Sequence, residues 1–274
     1  MSRPVISEIP TGPVAVPDVV AALAGDDTVT PVWRNELGGL TFRLEGGRGA
    51  TRYAKWVAAG TPEIDLPGEA ERLIWARRWV TVPRVVEHGT DADGAWLVTE
   101  AVPGLSAVDP RWSAAPATAA TAAAAIGRGL RLLHDALPVD RCPYEWSVDR
   151  RLVRADERIA DGEGPADRFP EHRHLGLAEA RARIGAPPPV DRLVVCHGDA
   201  CVPNTLLHED GTFAAHVDLG SLGVADRWAD LAVAAWSLEC NYGDPGYDGV
   251  LYDAYGIAPD PERAAYYRLL WDMA

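Results

Sequence analysis

The period of the hydrophobic pattern changes once along the chain, near residue 100, and this limits the fold more than any other feature. Before that point, short apolar and β-branched runs at 31–35, 40–44, 52–58, 82–88 and 95–99 are divided by turn residues at 45–49 and 91–94. Such runs read as strands joined by tight connections. One stretch breaks the pattern: over 67–79, Leu66, Leu73 and Ile74 fall near one helical face, with Pro67 at the start. Proline is at home in the first turn of a helix. A second, shorter helix is expected over 16–23. The spacing predicts a small antiparallel sheet with one principal helix.

Pro103 and Gly104 mark 99–104 as a hinge. Beyond it the apolar spacing becomes helical. A long helix is expected over 114–137 through Ile126, Leu130 and Leu133, with shorter ones over 149–159 and 177–184. Three consecutive prolines, Pro187 to Pro189, close that run. Short buried strands follow at 193–196, 205–207 and 214–217, then helices over 226–238 and 261–271. A β-rich lobe at 1–98 followed by a helical lobe at 105–274 is an α+β, bilobal architecture.

The composition excludes several functions. Nearly half of the 274 residues are apolar, so the chain can bury full cores. No run approaches the roughly twenty strongly apolar residues of a membrane span, and the Ala-rich stretch 114–126 is too weakly hydrophobic to be one. The opening residues lack the apolar core of a secretory signal. Cys142, Cys196, Cys201 and Cys240 are sparse and irregularly spaced, which predicts thiols in a cytoplasmic protein and no zinc site. The net charge of −14 argues against a nucleic-acid partner. From Asp199 to the end there are 13 acids against 3 arginines, which suits a small polycationic partner. Monomer and homodimer both remain open.

A second count is sharper. Of 26 basic residues, 25 are arginine and one is lysine, Lys55. Lysine is a compact point charge and arginine a wide planar fork. A position that escapes so strong a bias is one where the ammonium itself is needed.

The densest chemical signal lies over 194–204, VVCHGDACVPN, followed by HVDLG at 216–220. One aspartate, an asparagine five residues later and a second aspartate shortly after stand on loops at the ends of apolar strands. Phosphoryl transfer calls for this set. One carboxylate orients the attacking hydroxyl, while an amide and a second carboxylate hold Mg²⁺ against the phosphates. Asp199 is assigned to the hydroxyl, and Asn204 and Asp218 to the metal. The spacing matches the protein-kinase catalytic loop and its metal motif, with Gly198 in place of arginine and Leu219 in place of phenylalanine.

The stretch 194–232 closely resembles the aminoglycoside 3'-phosphotransferase family. The segments RCPY at 141–144, DRRL at 149–152, GEAERL at 68–73 and VPRVV at 82–86 are similar to the same family, so the likeness runs from about Trp33 to the C-terminus. The resemblance implies a kinase-like bilobal fold, ATP as phosphate donor with GTP as the other choice, and Mg²⁺. It places Lys55 on the nucleotide phosphates with Glu69 as its ion-pair partner. Glu71 is the other candidate, and the spacing to Trp75 favours Glu69. Tyr53 would stack on the adenine, and Thr99 and Ala101 would present backbone groups to its edge. His197 would tie the catalytic loop and Asp230 would buttress it from the following helix. The loop covering the phosphates would be 35–39, with Gly38 and Gly39.

Departures concentrate at the acceptor end. The family commonly finishes in acidic residues and a terminal carboxylate that grip substrate amines. Here Asp272 and the Ala274 carboxylate remain in that role, while Trp271 replaces an acid. Ser221 stands where an arginine often follows the metal motif. Cys240 and Asn241 stand where acids are common, which leaves Asn241 as a neutral substrate contact. Streptomycin and other small cationic acceptors therefore stay open beside a 3'-type aminoglycoside, as does a nucleotide-binding protein without catalysis. A protein kinase is disfavoured, because too few residues separate Gly220 from the next helix to form a peptide platform.

Overall fold

A computed structural model describes residues 7–35, 37–47, 49–243 and 246–274. Residues 1–6, Glu36 of the expected phosphate loop and Arg48 of the expected turn lie outside them. The chain divides into two compact units, Met1–Val102 and Pro103–Ala274.

The first unit runs β1 (Ser7–Glu8), α1 (Asp18–Ala24), β2 (Thr28–Asn35), β3 (Leu40–Glu45), β4 (Arg52–Ala58), α2 (Leu66–Ala76), β5 (Val85–Thr90) and β6 (Gly94–Glu100). Its strands form one antiparallel sheet in the order β1-β2-β3-β4-β6-β5. Side chains alternate across a strand. Ala54 of β4, Phe42 and Leu44 of β3 and Val98 of β6 therefore pack against Val20 and Ala24 of α1. Lys55, one residue from Ala54, points to the opposite face and reaches α2. That helix begins where Asp65 caps it by accepting the Gly68 N–H, with Pro67 in the first turn. It ends at Ala76, short of the expected 79. β5 starts three residues later than expected, because Pro83 has no N–H to give to a ladder.

The second unit runs β7 (Leu105–Ser106), α3 (Pro110–Ser113), α4 (Pro116–Ala136), α5 (Val148–Ala160), α6 (Leu177–Ile184), β8 (Leu193–Cys196), β9 (Thr205–Leu207), β10 (Phe213–His216), β11 (Gly223–Asp226), α7 (Trp228–Tyr242), α8 (Tyr247–Tyr255) and α9 (Pro261–Met273). Two small sheets, β10-β9-β7 and β11-β8, accompany the helices. Ile126 and Leu130 of α4, Leu231 and Leu238 of α7, Leu251 of α8 and Leu270 of α9 build the core. The Ala-rich helix α4 lets its neighbour come close: a Cβ on Gly127 would meet the Leu251 carbonyl oxygen at 2.4 Å.

Three expectations are corrected here. The helix expected from 114 starts at Pro116, since proline belongs in a first turn and holds Ala115 extended, and the short α3 before it was not anticipated. The helix expected from Asp226 starts at Trp228. Asp226 closes β11, and its carboxylate accepts the Trp228 and Asp191 N–H groups at 2.9 and 2.6 Å. Strand β11 and helix α8 were not anticipated. The run GVAD has little β pattern, and YDGVLYDAY carries a glycine and two aspartates that weaken its helical signal.

Candidate active site

In the first unit, the single lysine makes the central contact. Lys55 Nζ lies 2.7 and 2.9 Å from the two carboxylate oxygens of Glu69, whose side chain is 5% exposed against 24% for Lys55. Glu69 sits in the first turn of α2, where the helix dipole also favours a carboxylate. Tyr53 stands opposite Thr99 across β4 and β6, so both expected adenine contacts share one register position. The Ala101 N–H is already given to the Thr51 carbonyl at 2.9 Å. An adenine edge would have to compete with Thr51 for that donor. At the β2–β3 turn, the Gly39 N–H goes to Asn35 Oδ1 at 2.7 Å and the Gly38 N–H to the Asn35 carbonyl at 3.1 Å. Both amides thus shape the turn of the loop expected to cover the phosphates.

In the second unit, Asp199, Asn204 and Asp218 are brought together by two loops that follow β8 and β10. Asn204 Nδ2 donates to the Asp199 carbonyl and to Asp199 Oδ2, both at 2.9 Å. The Val217 N–H donates to the Asn204 carbonyl at 3.0 Å, which ties the loop of Asp218 to that of Asp199. Asp218 holds φ +65°, a left-handed conformation uncommon for a side-chain-bearing residue and characteristic of functional loops. Burial pushes the Asp199 carboxyl up, and the nearby Asp218 charge adds to this. Hydrogen bonds from Cys201 and Asn204 and the proximity of His197 oppose it only in part. A raised carboxyl is poised to take up a proton.

Asn204 spends its NH₂ on Asp199, which leaves its amide oxygen and the Asp218 carboxylate as hard-oxygen groups on two tied loops. A cation between these loops would ease the Asp218 charge that pushes Asp199 up. This donor set fits Mg²⁺.

The loop is pinned from behind. Asp230, fully buried on α7, accepts the His197 N–H at 2.6 Å and the Gly198 N–H at 2.8 Å. Its Oδ2 also meets His134 Nε2 at 2.9 Å, and His134 Nδ1 meets the Tyr255 hydroxyl at 2.9 Å. Burial raises Asp230, but the hydrogen bond from His134, the nearby His134 and His197 rings and the Gly198 N–H outweigh it and hold the carboxyl below its usual range. His197 Nε2 donates to the Val217 carbonyl at 2.9 Å, joining the two loops as expected of a loop-tying histidine. Burial and His197 push His216 down to about 3, so its ring stays neutral behind the site.

Sequence reasoning missed His134 and Tyr255, which carry no motif and come from distant helices. It also missed Cys201, whose thiol donates to Asp199 Oδ1 at 3.1 Å. Among the described residues, His134, Cys196 and Asp230 place potential metal-ligand atoms within 4.8 Å of one another. His134 and Asp230 are engaged as above, and the Cys196 thiol is bonded to the Asp226 carbonyl at 3.3 Å. The group reads as a buried hydrogen-bond network.

The acceptor-end residues are engaged within the fold. Asp272 does not stand open: its oxygens accept the Phe169 N–H at 3.2 Å, and His172 Nδ1 lies 2.6 Å from Oδ2. Its carboxylate is thereby committed to the segment 169–172. Ala274 is buried. Asn241 Nδ2 donates back to the Ser237 carbonyl at 2.7 Å. Ser237 Oγ in turn accepts the Val202 N–H of the catalytic loop at 2.9 Å. An aromatic cluster of Phe169, Trp236 and Trp271 around Arg268 also went unanticipated.

The phosphotransferase enzyme family matches residues 33–267. The chain is 40% identical to an aminoglycoside 3'-phosphotransferase of Streptomyces fradiae, over 85% of this chain and 90% of that one. It superimposes on the crystal structure of an aminoglycoside-3'-phosphotransferase of type VIII with a TM-score of 0.81 and 34% identity, covering 94% of this chain and 98% of the other. The aminoglycoside phosphotransferase APH(3'')-Id of Streptomyces rimosus, in complex with ADP and streptomycin, aligns at a TM-score of 0.73 and 30% identity, over 94% of this chain and 99% of its own. Among the described residues, no helix is long and apolar enough to cross a membrane.

Proposed function

The chain belongs to the phosphotransferase enzyme family, among the aminoglycoside 3'-phosphotransferases, and from that premise we propose that it moves the γ-phosphate of ATP to a hydroxyl of an aminoglycoside antibiotic. The observation that carries this is the Asn204 amide locked onto Asp199 beside Asp218. A carboxylate held in this way can orient one hydroxyl and receive its proton.

Each residue has a separate task. Lys55, oriented by Glu69, takes the nucleotide phosphates as a point charge. Tyr53 and Thr99, opposite each other across β4 and β6, would contact the base. Asn204 and Asp218 would hold Mg²⁺, which neutralises phosphate charge when bound. Asp199 aligns the acceptor hydroxyl for in-line attack and accepts its proton. Asp230 and His197 keep the loop in that shape. The transferring group is stabilised by position and charge more than by covalent chemistry. Resistance to the acceptor drug follows if this activity operates in a cell.

A second acceptor, streptomycin, is favoured by one observation: the similar APH(3'')-Id structure is a complex with ADP and streptomycin. The test is ADP release from Mg-ATP with kanamycin, neomycin and streptomycin as acceptors. Turnover on at least one, and loss of about 100-fold or more in kcat for Asp199→Asn, is the expected result. Turnover by that variant near the parent rate would remove Asp199 from its role. ATP binding without product on any acceptor would leave a nucleotide-binding protein.

A further inference from the structure

Phe169, Trp236 and Trp271 come from the segment after α5, from α7 and from α9. Their rings touch: Phe169 and Trp236 centroids are 4.6 Å apart at 76°, Trp236 and Trp271 5.2 Å, and Phe169 and Trp271 5.8 Å. None of the three is fully buried. The inner side of the cluster is occupied by the Arg268 guanidinium, 3.9 Å from the Trp236 centroid, 4.6 Å from Phe169 and 5.0 Å from Trp271. Arg268 is held by Glu171 at 2.9 Å, while its buried Nε and Nη1 meet no acceptor among the described residues. Aromatic faces stand where oxygens would otherwise be. The result is a rigid aromatic wall backed by a cation.

This wall is joined to the catalytic loop. Ser237, next to Trp236, accepts the Val202 N–H, and Asp272, next to Trp271, fixes the Phe169 N–H. Arg268 is close enough to bias the Cys201 thiol, which itself lies 3.1 Å from Asp199 Oδ1. The two carboxylates that touch the wall are engaged, Glu171 with Arg268 and Asp272 with His172 and Phe169. Among the described residues, an ammonium brought here would meet the Arg268 guanidinium and two carboxylates that are already engaged. A sugar ring is better suited, because its carbon face can lie on indole without adding charge.

We propose that the acceptor is held by stacking of a sugar-ring face on the Phe169–Trp236–Trp271 wall, so that this enzyme chooses acceptors by ring shape and not by ammonium groups on that ring. The inference rests on Asp199 as the residue that receives the acceptor hydroxyl. Aromatic faces bind apolar and delocalised surfaces through area and quadrupole; they can also take a cation, but here the Arg268 guanidinium already fills that role against all three rings and would repel an ammonium.

The test compares KM and kcat, by ADP release with Mg-ATP, for accepted aminoglycosides and for derivatives in which one amine at a time is replaced by hydroxyl. For at least one ring, the wild-type KM should change less than about threefold when its amines are replaced. Trp236→Ala and Trp271→Ala should each raise acceptor KM about tenfold. Their KM for Mg-ATP should stay at the parent value, which also shows that they fold. Trp271→Tyr should recover most of the loss, and Trp271→Asp should create a preference for the amine-bearing member of a pair. If every amine replacement raises wild-type KM tenfold or more, or if the alanine variants keep the parent acceptor KM, the wall is not the acceptor site and the phosphotransferase reading stands alone. If no aminoglycoside is turned over, that reading falls and takes the inference with it.

Discussion

Lys55 Nζ bridges both carboxylate oxygens of Glu69, at 2.7 and 2.9 Å, in a chain where every other basic side chain is arginine. The pair sets the height of the ammonium above the sheet. A guanidinium is wider, and its flat fork would pair with Glu69 but could not offer a compact charge to a phosphate. Lys55→Arg is therefore expected to lower kcat/KM for Mg-ATP by about 100-fold or more, the scale of a lost transition-state donor. Glu69→Gln should cost less, because the ammonium remains. Steady-state kinetics with varied ATP check both, and parent-like kinetics for Lys55→Arg would remove the meaning of the single lysine.

Gly198 answers why the catalytic motif here reads H-G-D. It holds φ +87°, and a Cβ on it would lie 2.1 Å from the Ser221 carbonyl oxygen. Both strain and overlap act on Gly198→Ala, which is expected to lose about 2 kcal/mol or more of stability in urea titration. Because the Gly198 N–H is fixed by Asp230, the displaced loop should also lower kcat. A variant as stable and active as the parent would show that Ser221 yields easily.

What could be read in advance follows from where each signal resides. Asp199, Asn204 and Asp218 were legible because phosphoryl chemistry demands those groups at close spacing on one stretch. Lys55 was legible through the bias of the remaining chain. His134 and Tyr255 were not, since they meet over sequence separations of 96 residues to Asp230 and 121 to each other. Their types give no local hint. The strands around Lys55 were found from their alternation, while β11 has only four residues and gains its identity by pairing with β8. The inward turn of Asp272 depends on His172, a hundred residues away in sequence, which no local pattern reports.

The pairing of Asn204 and Asp218 predicts a metal dependence. Chelation of divalent cations should abolish turnover. Asp218→Asn should raise the Mg²⁺ concentration for half-maximal rate by about tenfold or more, since one of few charged protein ligands is lost. Titration of initial rate against Mg²⁺ at fixed ATP checks this. An unchanged Mg²⁺ curve would assign Asp218 to another task, such as holding its strained loop.

Asp230 predicts how stability changes with acidity. Its carboxyl is buried, which alone would raise it, yet His134, His197 and the Gly198 N–H hold it below the usual value of 3.8. A group lowered in the folded state stabilises the protein above its unfolded value and loses that contribution as pH falls through the folded value. The contribution is therefore intact from pH 7 down to about 4 and fades below. Asp230→Asn keeps the shape but removes the charge that serves His134 and two loop amides. Breaking a buried pair of this kind costs about 3 kcal/mol. The gap in unfolding free energy between parent and variant should stay constant from pH 7 to 5 and shrink below pH 4, as the parent carboxyl becomes protonated and resembles the amide. Urea unfolding at several pH values across that window measures the gap. A gap that persists unchanged to pH 3 would mean that Asp230 works through shape alone, and that its charge is not what pins the loop carrying Asp199.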